Sequence, residues 1–414
     1  MVPQRERGVT IVLVLVALLA LIGIAGLALD TAHVVLNKGR LQSALDSAAL
    51  AAAKVLDQTA SSAQATTAAN TVFTLNVAQY PELQRATSGG LSMTTQFSAT
   101  LNPFSAGTTP AKFVRTSVTG FTIGTSLVAA LGISSISVGG SAVAGPSATL
   151  QTVCNIVPIM VCADGAAAPP LFGYAVDQVL GLKKVPSSGA TGASLGPGNY
   201  NLVSVGGTGA SIVRSNFAGS YSACATTGNT LPTEPGVAAG PVEQGVNTRF
   251  NQYQGGVSAS DYPPDVINSA AHQTSLDSSA QGCKKDCADG VWQGTTQVST
   301  ASQLTFNWDN YNSLQPSGPY DTQPRPSGTA GFRRREVAVP IGDCSTAVNG
   351  RGNISVLGFA CLFLLQQMST GGQEQLYAQV IRNCETGGRP GAGAGGGPGP
   401  HIIQLYKSAG SPDS

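Results

Sequence analysis

Several residue groups in this chain have types and spacings that chemistry uses. Gly192-Ala193-Ser194-Leu195-Gly196 has the G-x-S-x-G form of a nucleophile elbow, in which a sharp strand-to-helix turn presents a serine hydroxyl. That turn needs a buried strand entering and a helix leaving. Here Lys183-Lys184-Val185-Pro186-Ser187-Ser188-Gly189 precedes it and Pro197-Gly198 follows. In a chain with 51 glycines the match is a coincidence of composition, and Ser194 is expected to be catalytically silent. Cys283-x-x-x-Cys287 is half of a metal site, but neither the remaining cysteines nor His33, His272 and His401 form a second half by spacing. Asp261 with Asp265, and Asp286 with Asp289, offer carboxylates for a cation, yet neither pair sits in a twelve-residue calcium loop pattern; solvated loop carboxylates are the expectation. Trp292, Trp308, Tyr311 and Tyr320 are the residue types of a sugar-stacking surface, although aromatic rings in loop-rich sequence more often bury themselves beneath the loops. Phe332-Arg333-Arg334-Arg335 suits a solvated turn leading into a strand, or a contact with an acidic partner or lipid headgroups. With neither a P-loop nor an HExxH pair present, no catalytic, cofactor or metal site and no small-molecule ligand is expected.

The composition narrows the partners further. Lys+Arg 22 balances Asp+Glu 21 and only 10% of the 414 residues are charged, so no basic stripe exists to hold phosphates, and nucleic acid is not an expected partner. Gly 51 and Pro 24, with abundant Ser, Thr and Ala, describe a loop-rich and strand-rich body of the kind found in exported bacterial proteins.

The elements that position everything else begin with an apolar run. Val9 to Leu29 carries no charge and one hydroxyl, and as a helix it covers the roughly 30 Å of a hydrocarbon core. Arg5 and Arg7 precede it, Asp30 follows at once, and Lys38 and Arg40 come later. The positive-inside rule therefore keeps the N-terminus cytoplasmic and sends the residues after about 30 across the membrane. A cleaved signal peptide competes with an uncleaved anchor, since Gly26-Leu27-Ala28 offers small residues at inspected positions. The apolar run is longer than the roughly 7–15 residues such peptides use. Both readings export residues 31–414.

Past Asp30, Leu41, Leu45, Ala48, Ala49, Ala52 and Leu56 recur at helical spacing, and no proline lies between Val9 and Asp57, so one rod is expected with Gly39 as its bend. The Ala-rich face allows close approach of a partner helix or of the chain's own sheet. Arg7-Gly8, the uncharged run, Asp30, and then Gly39-Arg40-Leu41-Gln42-Ser43-Ala44-Leu45-Asp46-Ser47-Ala48-Ala49-Leu50-Ala51-Ala52-Ala53 resemble the N-terminal segment of the TadG-like proteins of the tight-adherence (Flp) pilus system. The residues that match the family pattern are Gly8, Asp30, Leu41, Gln42, Asp46, Ala48, Ala49 and Leu50. The resemblance implies a non-enzymatic structural or assembly protein. It would be anchored once in the bacterial cytoplasmic (inner) membrane, work in the periplasm through protein contacts, and have pilus or secretion-machine proteins as partners. Two departures accompany it. The glutamate that follows the cleavage glycine in related pilins is replaced by Leu13, so processing at Gly8 is not expected. Asp343-Cys344-Ser345-Thr346-Ala347 lacks the second serine of a von Willebrand A metal site.

The expected fold class is α+β: an N-terminal transmembrane helix continuing into an amphipathic helix, then a mainly β, loop-rich exported domain with disulfides. The expected divisions are a cytoplasmic N-terminus over 1–8, the membrane helix over 9–29, a membrane-proximal Ala-rich helix over 30–58, an α+β subdomain over 59–150 and a mainly β, cysteine-containing subdomain over 151–414. The name pilin-like for residues 59–150 comes from the resemblance. Gln58 to Thr71 reads as a polar lead-in; FSATL, FVRTSV and SISVGGSAVA read as strands, with TSLVAALG a short helix between the last two. Further strands are expected at Tyr200 to Val205, Arg335 to Ile341 and Ile354 to Leu365, and in HIIQLYK, which would return to a sheet after a glycine-rich loop. All eight cysteines, Cys154, Cys162, Cys224, Cys283, Cys287, Cys344, Cys361 and Cys384, lie beyond residue 150. An even number in exported sequence implies disulfides, with the connectivity open. The other class of function open to this sequence is an anchored cell-envelope enzyme or carbohydrate-binding domain with a site built from loops after Cys154.

The assigned span can be checked directly. Replacing Leu19 and Gly23 by lysine places two charges near the bilayer centre at about 2.5–3.5 kcal/mol each on insertion scales. The variant should be lost from the membrane pellet after alkaline extraction, and unchanged retention would refute the span.

Overall fold

The absence of proline from Val9 to Asp57 lets a single α-helix, α1, run over Arg7–Thr59 in the computed structural model, passing through Gly39 without interruption. The structure describes residues 7–163, 167–182, 199–219, 221–236, 238–278, 290–315, 318–345, 348, 350–368, 375–384, 386–391 and 397–407. The chain separates into two compact units. The first comprises Met1–Pro146 with Ile403–Ser414, and the second Ser147–Ile402.

In the first unit, the stretch read as a polar lead-in is instead a helix, α2, over Ser62–Val77. Ser61 caps it by accepting from the Gln64 backbone N–H at 3.3 Å. Its threonines and asparagines hide a four-residue apolar period, Ala65, Ala69, Phe73 and Val77, all buried. A short helix, α3, over Pro81–Ser88 begins with proline in the first turn, where the missing N–H costs nothing. Three antiparallel strands follow: β1, Thr94–Ser98, β2, Phe113–Gly124, and β3, Ser135–Pro146. β1 starts three residues before the expected FSATL and stops at Ser98. There the hydroxyl turns the chain by accepting from the Thr100 and Ser105 N–H groups, each at 3.1 Å. TSLVAALG forms a 3-10 turn at Val128–Leu131. The strand Ile403–Leu405, inside HIIQLYK, pairs antiparallel with β3, so the sheet runs β1, β2, β3, Ile403–Leu405.

The second unit is built on a mixed sheet whose path runs Gly388–Pro390, Leu150–Ile156, Glu336–Gly342, Asn353–Leu364, Leu376–Ile381, Val179–Leu182. Glu336–Gly342 and Asn353–Leu364 read as nearly unbroken apolar runs because both faces are covered. Val337, Val339, Ile341, Ala360, Leu362 and Leu364 enter one core, together with Phe217 and Val246 from the helices Ala210–Gly219 and Ala239–Asn247. Ala338, Phe359, Cys361 and Phe363 enter the other core on alternate residues. Three disulfides, Cys154–Cys224, Cys162–Cys344 and Cys361–Cys384, tie this unit. Cys283 and Cys287 lie outside the described residues.

The arginine run departs from expectation. Arg335 is fully buried, where a solvated turn or a partner contact was expected. Its guanidinium donates to the carbonyls of Leu364 at 3.0 Å, Leu365 at 3.0 Å, His272 at 2.7 Å and Ile267 at 3.3 Å. It lies over the rings of Phe250, Tyr311, Phe363 and Phe306 at 4.5–5.6 Å. Asp265 is also fully buried, contrary to the expected solvated carboxylate, while Asp261 is exposed. Asp265 accepts from Tyr311 Oη at 2.6 Å, the Ile267 N–H at 2.8 Å and the Arg335 N–H at 3.0 Å. Loops that cannot pair their carbonyls with a sheet find donors in the planar fork of arginine instead. Burial lowers the Arg335 guanidinium to about 10, still charged at neutral pH, and raises the Asp265 carboxyl.

Arg335→Met should strand four carbonyls in the interior and remove the positive charge near the Asp265 carboxyl, at a cost of about 3–5 kcal/mol in denaturant unfolding. A loss below about 1 kcal/mol, the scale of an exposed ion pair, would show that the network is dispensable.

Candidate assembly interface

The residues that match the family pattern all fall on α1, and the structure gives most of them a packing role. Leu41, Ala44, Leu45, Ala48, Ala49, Ala52, Ala53 and Leu56 are 0–3% exposed and form the contact with β2, β3 and the first unit's other core residues. Leu50 is partly buried at its edge, and Gly8 lies in the first helical turns. The face open to either a partner helix or the chain's own sheet is therefore taken by the sheet. Gln42 and Asp46 fasten that contact. Gln42 Nε2 donates to Asp46 Oδ1 at 2.8 Å and to the Ser141 carbonyl at 3.0 Å, and Thr116 Oγ1 donates to the Leu45 carbonyl at 3.0 Å. Burial raises the Asp46 carboxyl, with the Gln42 hydrogen bond opposing it.

One position that residue reasoning passed over makes this approach possible. A Cβ on Gly140 would meet Gln42 Oε1 at 2.9 Å and Leu45 Cδ1 at 3.1 Å, so any larger residue here has to displace the ends of those two side chains for the helix to lie this close to β3. The signal was present in the Gly139-Gly140 pair inside an otherwise alternating strand.

Asp30, at the end of the apolar run, does more than close it. Its carboxylate is buried and accepts the backbone N–H groups of Ser126 at 3.0 Å, Leu127 at 2.9 Å and Val128 at 2.7 Å, capping the 3-10 turn between β2 and β3. These bonds, that from Val128 foremost, hold its carboxyl below the usual carboxylate range. One turn earlier, a Cβ on Gly26 would lie 2.6 Å from Leu127 Cβ, so the turn rests directly on the helix.

The second unit offers a polar cleft of about 720 Å³, lined by Asn268, Gln273, Asp277, Gln366 and Gln375 among others. Three of its side-chain amides, those of Asn268, Gln273 and Gln366, hold loops. Gln366 clamps Leu276 by accepting from its N–H at 2.6 Å and donating to its carbonyl at 3.1 Å. Gln273 bridges the Asn268 carbonyl and the Gln367 N–H. Of the aromatic candidates, Tyr311 is buried against Phe363, and Trp308 donates to Glu336 at 2.9 Å. Burial pushes Glu336 up to about 7, but the group is closed in by Trp308 and by Arg333 at 2.6 Å, the mark of an internal ion pair. Ser194, Asp286 and Asp289 lie outside the described residues.

Residues 8–55 match the family model described as putative Flp pilus-assembly TadE/G-like. The N-terminal segment is similar to that family. The match supports the resemblance to TadG-like proteins and spans the membrane-type half of α1 together with the packed half, ending just before Leu56. No curated protein and no solved structure matches the chain.

On β3, opposite the matched segment, Gly140→Val should force the helix away from the strand and lower stability by about 1–3 kcal/mol, the usual cost of overpacking. Ala48→Leu should do the same from the opposite side. Thermal melts of the full chain in detergent report both, and unchanged midpoints would mean that the helix does not pack on this sheet.

Proposed function

We propose that this protein is a membrane-anchored structural or assembly component of a tight-adherence (Flp-type) pilus, acting through protein contacts in the periplasm. One coincidence carries the reading. The TadE/G-like match falls on a helix whose first half is apolar and uncovered and whose second half is the core of a folded unit. Ile11, Leu13, Leu15, Leu18, Leu21 and Leu27 are all more than half exposed, which is costly in water and favourable in lipid. With Arg5 and Arg7 before the span, the N-terminus stays in the cytoplasm and the residues after about 30 lie outside it.

The mechanism is mechanical. Because α1 is continuous, force on the first unit passes into the span without a hinge at Gly39. The exposed apolar pair Val35 and Leu36, just past Asp30, offers pilin or platform proteins a contact close to the membrane. The family points to a non-enzymatic role, and the engaged amides of the polar cleft and the closed environment of Glu336 agree with it.

A photo-crosslinking residue at Val35 or Leu36 in cells should capture pilin or secretion-platform proteins, and a deletion strain should lose its pili while keeping normal wall chemistry. Normal piliation in the deletion strain, with only wall fragments captured, would contradict the assignment.

A further inference from the structure

We propose that the turn joining β2 to β3, residues 125–134, is a second lipid contact that enters the outer-leaflet boundary beside α1. The inference rests on reading Val9–Leu29 as a membrane span. Four observations lead to it. Leu127 packs on α1 at Gly26, three residues before the end of the apolar run, which is about 4.5 Å inside that end at the helical rise. Interfacial elements sit at about this depth, roughly 5–10 Å into the boundary between headgroups and acyl chains. Leu127 is 46% exposed and Ile133 50% exposed, although both belong to a compact unit with a buried core of its own. The sequence TSLVAALGIS carries no charge.

The fourth observation concerns the backbone, because a loop enters a low-dielectric layer only when its own polar groups are paired. The Ser126, Leu127 and Val128 N–H groups go to the Asp30 carboxylate. The Thr125 N–H goes to the Ser134 carbonyl at 3.1 Å, that of Gly132 to Ala129 at 3.0 Å, and that of Ile133 to Val128 at 3.4 Å. The Thr125 hydroxyl donates to the Ile133 carbonyl. Six of the ten backbone N–H groups of residues 125–134 are paired within the protein, where an exposed loop in water could leave them to solvent. Asp30 thus holds the turn at one depth relative to the span. Two attachments, a helix through the bilayer and a turn resting in its surface, fix how the first unit faces the membrane.

The test uses the full-length protein in phosphatidylcholine vesicles containing brominated lipids. Leu127→Trp and Ile133→Trp are each compared with the parent, whose Trp292 and Trp308 lie in the second unit. The added tryptophan should emit at shorter wavelength than an indole in water. It should lose emission to bromine near the headgroup end of the acyl chain more than to bromine near the terminal methyl. Retention in the vesicles after alkaline carbonate separates the two claims. A retained protein whose added tryptophans emit as in water and are unquenched overturns the lipid contact and leaves the span standing. Release from the vesicles overturns both. Circular dichroism matching the parent establishes that a variant is folded; should one substitution disrupt the turn, the other decides.

Discussion

A helix approaches a sheet closely where small side chains face it among the larger ones, and the first unit depends on that condition. Ala44, Ala48, Ala49, Ala52 and Ala53 supply it on α1, and Gly140 supplies it on β3. Once the contact forms, Gln42 and Thr116 fix its register with hydrogen bonds to backbone carbonyls. The direction of the whole helix is then set by the sheet. Since α1 is continuous, so is the direction in which its apolar first half leaves the unit, and Asp30 meets the turn between β2 and β3 as a consequence. Alanine at so many positions gives up buried area per residue, but it costs little entropy in a helix and allows an approach that leucine would forbid.

The second unit is held together by other means. Its sheet is covered on both faces, and much of the remaining chain is loop. That leaves many carbonyls without strand partners, and buried arginines meet some of the need. Arg335 serves four carbonyls. Arg249, also buried, donates to the Phe217 carbonyl at 2.9 and 3.1 Å and to that of Arg334. Disulfides constrain the unfolded chain over separations of 70, 182 and 23 residues, a form of stabilisation suited to sequence that buries little apolar area per loop.

The fold was legible where periodicity is local. FVRTSV and SISVGGSAVA alternate and fall within β2 and β3, while Arg335 to Ile341 and Ile354 to Leu365 are apolar runs that lie within a residue of central strands. α2 was missed because Thr66, Thr67, Asn70 and Thr71 dominate its composition, although Ala65, Ala69, Phe73 and Val77 carry the period. The fate of Asp265 and Arg335 could not be read, since most of the partners that bury these charges lie tens of positions away: Tyr311 is 46 residues from Asp265, and the carbonyls that Arg335 serves are 29 to 68 residues from it. The candidate interface divides in the same way. Its helix face was visible as Leu41, Leu45 and the alanines, whereas the pairing of Asp30 with Ser126, Leu127 and Val128 joins residues almost a hundred positions apart.

In the proposed function, the uncharged half of α1 lies in lipid while the residues after about 30 sit on the far side of the membrane from Arg5 and Arg7. Limited proteolysis of intact spheroplasts carrying an N-terminal epitope tests that arrangement most directly. Protease added outside should remove the residues after about 30 and leave a short tagged fragment in the membrane. A full-length chain that resists until the membrane is broken, or that fractionates with soluble protein, would contradict it.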